Sequence, residues 1–242
     1  MKIVMQRVIQ NVRKDLKANV DKKYKQSVQR FFKEKIVCYG ARTPIVRKIA
    51  KKYFKDIKNL SKKEIFILAE QLLKSNYGEE STIAIQWIFG IKNRLIKTDF
   101  NIFESWLKKY INGWGKDDDF CAHIIYPMIE KYPALVERIK LWAKSKNQWV
   151  RRASAVSLIK TFGHSHTTQH NLDDIFDIAK ALLYDREDLV QKGYGWMLKS
   201  ASVDNQKQVF DFVMAHKKNM PRTALRYAIE KMPDYLRKKA MV

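Results

Sequence analysis

Apolar residues recur along almost the whole chain at intervals of three and four, the spacing of a helix that buries one face and exposes the other. The pattern is clearest from Thr43, where Thr43 suits an N-cap and Pro44 a first helical turn. Ile45, Val46, Ile49, Ala50, Tyr53 and Phe54 then fall on one side. Further periodic stretches predict helices over 65–73, 83–95, 103–110, 121–129, 135–142, 150–162, 175–183, 189–201, 209–214 and 223–229. Connections are short except for 163–171, and only eight glycines and five prolines interrupt the chain. The class is all-α.

Helices in pairs of roughly 35 to 45 residues predict an α-solenoid of HEAT or armadillo type. The expected organisation is one domain over residues 1–242. Such a stack curves and offers an extended groove, and the charge says what that groove would attract. Lys and Arg number 48 against 25 Asp and Glu, a formal net charge of +23. A field of that sign draws polyanions, with DNA or RNA ahead of acidic membranes. No apolar run reaches the ~20 residues that span a bilayer. The first residues, MKIVMQRVIQNVRKDLKAN, interleave charge at helical spacing and lack a signal peptide's apolar block. They are expected to stay in the mature protein. Two cysteines, Cys38 and Cys121, do not build a disulfide framework or a zinc site, so a reduced, cytoplasmic setting is expected. His164, His166 and His170 in GHSHTTQH read as a polar loop rather than a metal site, because no acid or cysteine ligand lies near.

The charges are unevenly placed. Arg47, Lys48, Lys51, Lys52 and Lys55 share the polar face of the helix that opens at Thr43, with no acid between Thr43 and Lys55 to pair with them. They repel one another, which favours a phosphate-facing stripe over a merely solvated surface. Against that background GWGKDDDF, residues 113–120, sets Trp114 before three carboxylates. A helix starting near Asp117 would make Asp117 a cap, leave Asp119 solvated, and put Asp118 at the border of the apolar face formed by Phe120, Cys121, Ile124, Ile125 and Met128. Asp118, one turn after Trp114, is the one placed for partial desolvation. The alternative is that all three acids only favour the helix dipole. Pro127 is expected to kink the later part of this helix.

In WVRRASAVSLI, Arg151 and Arg152 flank the core side, and cations in a first helical turn need an anion, either a DNA phosphate or a protein carboxylate. In LVQKGYGWMLKSAS, Trp196 lies between Lys192 and Lys199 on the polar face, there to pack on another layer or to meet a flat or sugar-like ligand. Arg222 and Arg226 follow one turn apart in NMPRTALRYAIEKMP.

These segments, YGARTPIVRKIAKKY, WGKDD, WVRRASAV, VQKGYGWMLK and MPRTALRYAIEK, occur in an order and spacing that resembles the AlkD-type alkylpurine DNA glycosylases, built from HEAT-like repeats. The resemblance covers nearly the whole chain. It implies a basic concave groove for duplex DNA and hydrolysis of the glycosidic bond of cationic purines alkylated on nitrogen 3 or 7. It further implies a catalytic set of Asp118 at the deoxyribose, Trp114 and Trp196 beside the lesion, and Arg152 on the DNA backbone. Arg42, Arg47, Lys48, Lys51, Arg151, Lys192, Lys199, Arg222 and Arg226 complete the expected DNA-binding surface. No metal or organic cofactor, no membrane and no obligate protein partner is expected, and the working state is a monomer on double-stranded DNA. Gly115 departs from the pattern, since a bulkier residue usually follows the first tryptophan. Two competing functions are a non-catalytic binder of distorted or branched DNA and a helical-repeat adaptor for an acidic protein.

Overall fold

The computed structural model describes residues 2–32, 36–159 and 171–242. Among them are fifteen α-helices and no strand, and their contacts fall into two units, Met1–Tyr110 and Ile111–Val242. The first unit holds α1 (Lys2–Ala18), α2 (Lys22–Phe31), α3 (Thr43–Ile57), α4 (Lys62–Leu73), α5 (Gly78–Gly90) and α6 (Phe100–Tyr110). Helices α1, α3 and α5 pack in a row, while α4 backs α1 and α5 and also meets α6. Each helix touching the one after next is the signature of a helical repeat.

Within this unit α3 buries Val46, Ile49, Ala50, Tyr53 and Ile57, so the apolar face is largely as the spacing predicts. Its N-cap is Arg42, with no side-chain cap bond, and Thr43 is the first helical residue rather than the cap. What fixes the entry to α3 is a pair of buried acids on α5. Glu79 accepts the backbone N–H groups of Tyr39, Gly40 and Ala41 at 3.1, 2.7 and 3.1 Å. Gly40 sits at φ +101°, a conformation that excludes most side chains. Glu80 accepts the Tyr39 hydroxyl at 2.6 Å and the Arg13 guanidinium at 3.0 Å. The basic face of α3 therefore begins from residues 39–41, which are held against α5.

The second unit opens with α7 (Trp114–Phe120), which continues through a π-helical turn, Cys121–Ile125, into α8 (Tyr126–Lys131). The helix thus begins at Trp114, three residues before the expected start. In the π turn the Tyr126 N–H bonds to the Cys121 carbonyl, five residues back. Pro127 comes next, and a proline donates no N–H and crowds the carbonyl four positions before it. A widened turn, rather than a kink further along, accommodates it here. Then come α9 (Val136–Trp142), α10 (Gln148–Val156), α11 (Leu172–Leu182), α12 (Asp188–Ala201), α13 (Gln206–His216), α14 (Arg222–Ala228) and α15 (Asp234–Met241). Helices α7, α10, α12 and α14 form one row; α9 meets α11 and α13 meets α15 behind it. The predicted core residues Ala155, Leu158, Ile159, Val190, Tyr194, Met197, Leu198 and Ala201 are all buried. Phe162, the end of the predicted 150–162 helix, and the histidine-rich loop lie outside the described residues.

The tightest crossing in this row is that of α12 on α14. A Cβ built at Gly195 would stand 2.7 Å from the Tyr227 Cβ and 2.8 Å from the Ala224 carbonyl oxygen. Because one obstacle is backbone, the neighbour cannot rotate away. Gly195→Ala is expected to destabilise the protein by about 1 to 3 kcal/mol, measured by urea denaturation.

Candidate active site

The row of α7, α10, α12 and α14 carries every site residue predicted in the second unit. Arg152 projects from α10 with its side chain only 6% exposed, and its guanidinium forks onto Asp118 of α7. Nε donates to Asp118 Oδ1 at 2.9 Å, and Nη2 reaches Oδ1 at 2.8 Å and Oδ2 at 2.9 Å. Nη1 donates to the carbonyl of Leu189 at the start of α12. Gly193, one turn further, makes room for this arm, since a Cβ there would meet Arg152 Cγ at 3.3 Å and Nη1 at 3.4 Å. One guanidinium thereby joins three elements. This paired geometry is the strong form of an Arg–carboxylate contact, because both groups are planar and matched in spacing.

Asp118 is not sealed in. Its side chain keeps 23% of its exposure, and Oδ2 accepts one of the three bonds while Oδ1 accepts two. Burial pushes its carboxyl above the usual range, with Arg152 pulling the other way. Trp114 stands one turn before it on α7, and Trp196 lies on α12; both are partly exposed.

The two flanking acids differ from expectation. Asp117 is no cap: it lies inside α7, its side chain is wholly buried, and neither oxygen has a hydrogen-bond partner among the described residues. The nearest cation is Arg152 Nε, 3.6 Å from Oδ2. Burial holds the Asp117 carboxyl well above the usual range; Arg152 opposes this and Asp118 adds to it. Asp119 is not solvated either, for its Oδ1 lies 2.8 Å from His123 Nδ1 across one turn.

Both arginines of the pair meet protein carboxylates. Arg151 Nε contacts Asp185 Oδ2 at 2.5 Å, and its Nη1 donates to the carbonyls of Ser145 and Lys146 at 3.0 and 3.1 Å. A contact of Arg152 with a DNA phosphate would fall to its second Nη1 hydrogen, the donor without an internal bond among the described residues, on a side chain only 6% exposed. Among the other basic residues the charge is divided in the same way. Arg42 pairs with Asp21 at 2.9 Å, Lys192 with Asp188 at 2.7 Å, and Lys199 with Glu230 at 3.1 Å. Arg47, Lys48 and Lys51 on α3, and Arg222 and Arg226 on α14, are exposed and have no ion pair among the described residues. Arg222 and Arg226 share a cleft with Lys192, Thr223 and Tyr227; Lys48 and Lys51 line another with Asp15, Asn19 and Lys55. Sequence reasoning missed Asp185, the Leu189 carbonyl and the use of Gly193; only the GYG spacing in α12 carried a trace of the last.

Among the described residues no group of three His, Cys, Asp or Glu is placed to hold a metal, and no helix is long and apolar enough to cross a membrane.

An all-α stack of helical repeats, with a fixed carboxylate–guanidinium pair on the same row as free cations, defines the class of molecule. The sequence matches the profile of the family described as DNA alkylation repair enzyme over residues 12–232, and the chain belongs to that family. A solved structure titled "Predicted DNA alkylation repair enzyme from Enterococcus faecalis" superposes with a TM-score of 0.79. It covers 89% of this chain and 98% of that one, at 16% identity, a likeness of fold. Comparison with proteins of curated function gives no match.

Proposed function

We propose that the chain is a monofunctional DNA-alkylpurine glycosylase that hydrolyses the N-glycosidic bond of cationic alkylated purines, of the 3-methyladenine and 7-methylguanine type, in duplex DNA. The observation that supports this reading is Asp118: a carboxylate still open to solvent, yet fixed in orientation by a buried arginine one helix away.

The chemistry asks for little else. An alkylated purine already carries a positive charge, so the glycosidic electron pair passes to the ring and the base leaves neutral, without a general acid. The sugar becomes oxocarbenium-like, as in other glycoside hydrolyses. A carboxylate whose orientation is set in advance stabilises that charge with no reorganisation. The less occupied Oδ2 is the atom to align the attacking water and receive its proton. Trp114 and Trp196 offer ring faces that favour a cationic nucleoside, each by ~0.5 to 2 kcal/mol according to its desolvation.

Incubating the protein with a duplex carrying 7-methylguanine and assaying free base tests the reading. Released base with an abasic strand is the expected result; tight binding with no release would leave a DNA-binding scaffold. The free cations set the affinity. Replacing Arg222 and Arg226 together by alanine is expected to lower the slope of log affinity against log salt by about 1 to 2 and to weaken all duplexes alike. Binding titrations from low to moderate salt check this.

A further inference from the structure

Asp117 is an acid of the site that the proposed chemistry does not use, and its position is costly. A wholly buried carboxylate with no donor on either oxygen is among the least favourable arrangements a fold holds, unless it keeps a proton. The nearest cation is already committed. Arg152 Nε gives its single hydrogen to Asp118 Oδ1 at 2.9 Å while standing 3.6 Å from Asp117 Oδ2. One hydrogen thus has two acceptors competing for it, and the protonation of Asp117 decides how strongly it competes.

We propose that Asp117 is a positioning residue, whose uncharged form commits Arg152 to Asp118 and whose charged form draws Nε toward itself and loosens the fork. This rests on the reading of Asp118 as the catalytic carboxylate. With Asp117 neutral, Asp118 and Arg152 balance as one pair. With Asp117 ionised, two carboxylates share one guanidinium, and the orientation of Asp118 is no longer unique. The groups that face Asp117 are Asp118 on its own helix, Arg152 from α10 and the Cys121 thiol from the π turn. Burial pushes that thiol up as well, with Asp117 adding to the effect. These roles fix the direction of the pH dependence. Excision requires Asp118 ionised and Asp117 protonated, so the rate falls at the acid end through Asp118 and at the alkaline end through Asp117.

The test is the single-turnover rate of 7-methylguanine release across pH for wild type, Asp117→Asn, Asp117→Val and Cys121→Ala. Expected is a wild-type rate that drops about tenfold per pH unit once Asp117 ionises. Both neutral replacements should keep the neutral-pH rate and abolish the alkaline drop, and Cys121→Ala should leave the drop in place. An alkaline drop that persists in both Asp117 variants, is moved by Cys121→Ala, or is missing from wild type overturns the proposal. A second readout needs neither DNA nor a variant. The infrared carboxylic-acid band of the free wild-type protein should persist at neutral pH and vanish over the same range as the activity; its absence at neutral pH also overturns the proposal. Because this band is independent of turnover, a protein that shows it yet excises normally as Asp118→Asn would refute the catalytic reading and not the protonation of Asp117.

Discussion

Asp118→Asn is expected to slow excision of 7-methylguanine by about 10²-fold or more while leaving affinity for lesion-bearing duplex within a few-fold, the loss seen when one preorganised electrostatic group is removed from a reaction centre. The amide keeps the size of the side chain and one oxygen for Arg152, so the local fold should hold. The site also contains its own substitute anion, because Asp117 lies 3.6 Å from the same guanidinium and can ionise once Asp118 no longer carries the charge. What disappears is negative charge at the open face. Single-turnover kinetics alongside equilibrium binding separate the two quantities, and an unchanged turnover would remove Asp118 from the reaction.

Removing the cation should do more damage to the fold. Arg152→Ala leaves Asp117 and Asp118 without their shared partner and the Leu189 carbonyl without its donor. Breaking one side of a buried pair costs about 3 to 5 kcal/mol, read as a lowered urea midpoint. Excision should fall as well, since nothing then aims Asp118. The salt dependence of DNA binding should not change, because the guanidinium is buried and four of its five N–H groups are bonded inside the protein; a reduced slope would mean that it reaches a phosphate after all. Arg152→Lys should rescue poorly, as an ammonium cannot bond both oxygens and a carbonyl in one plane.

Much of the fold could be read from spacing. The buried faces of α3, α10 and α12 follow from apolar periodicity, with Val46, Ile49, Tyr194 and Leu198 inside as predicted. The partial desolvation of Asp118 was also legible, because it borders the apolar face one turn after Trp114. Its neighbours were not. The face Phe120, Cys121, Ile124, Ile125 and Met128 is buried as the spacing predicts, but the helix was expected to start at Asp117, whereas it starts at Trp114, and that makes Asp117 an interior side chain rather than a cap. The partners of the arginines were illegible for a different reason. Asp185 lies 34 positions from Arg151 and Asp118 lies 34 from Arg152. The first ties α10 to the loop before α12 and the second ties α10 to α7, and no local pattern encodes either. Why Gly115 follows Trp114 has no explanation in the structure.

The division of charge has a consequence for how the molecule would operate on a long polymer. The cations left free, on α3 and α14, are exposed and screened by electrolyte, while Asp118 and Arg152 are neutral as a couple, with the arginine buried. Search and chemistry therefore answer to different surroundings. A rise in ionic strength should shorten each visit to the helix, yet leave the speed of the bond-breaking event untouched once a damaged nucleotide is seated.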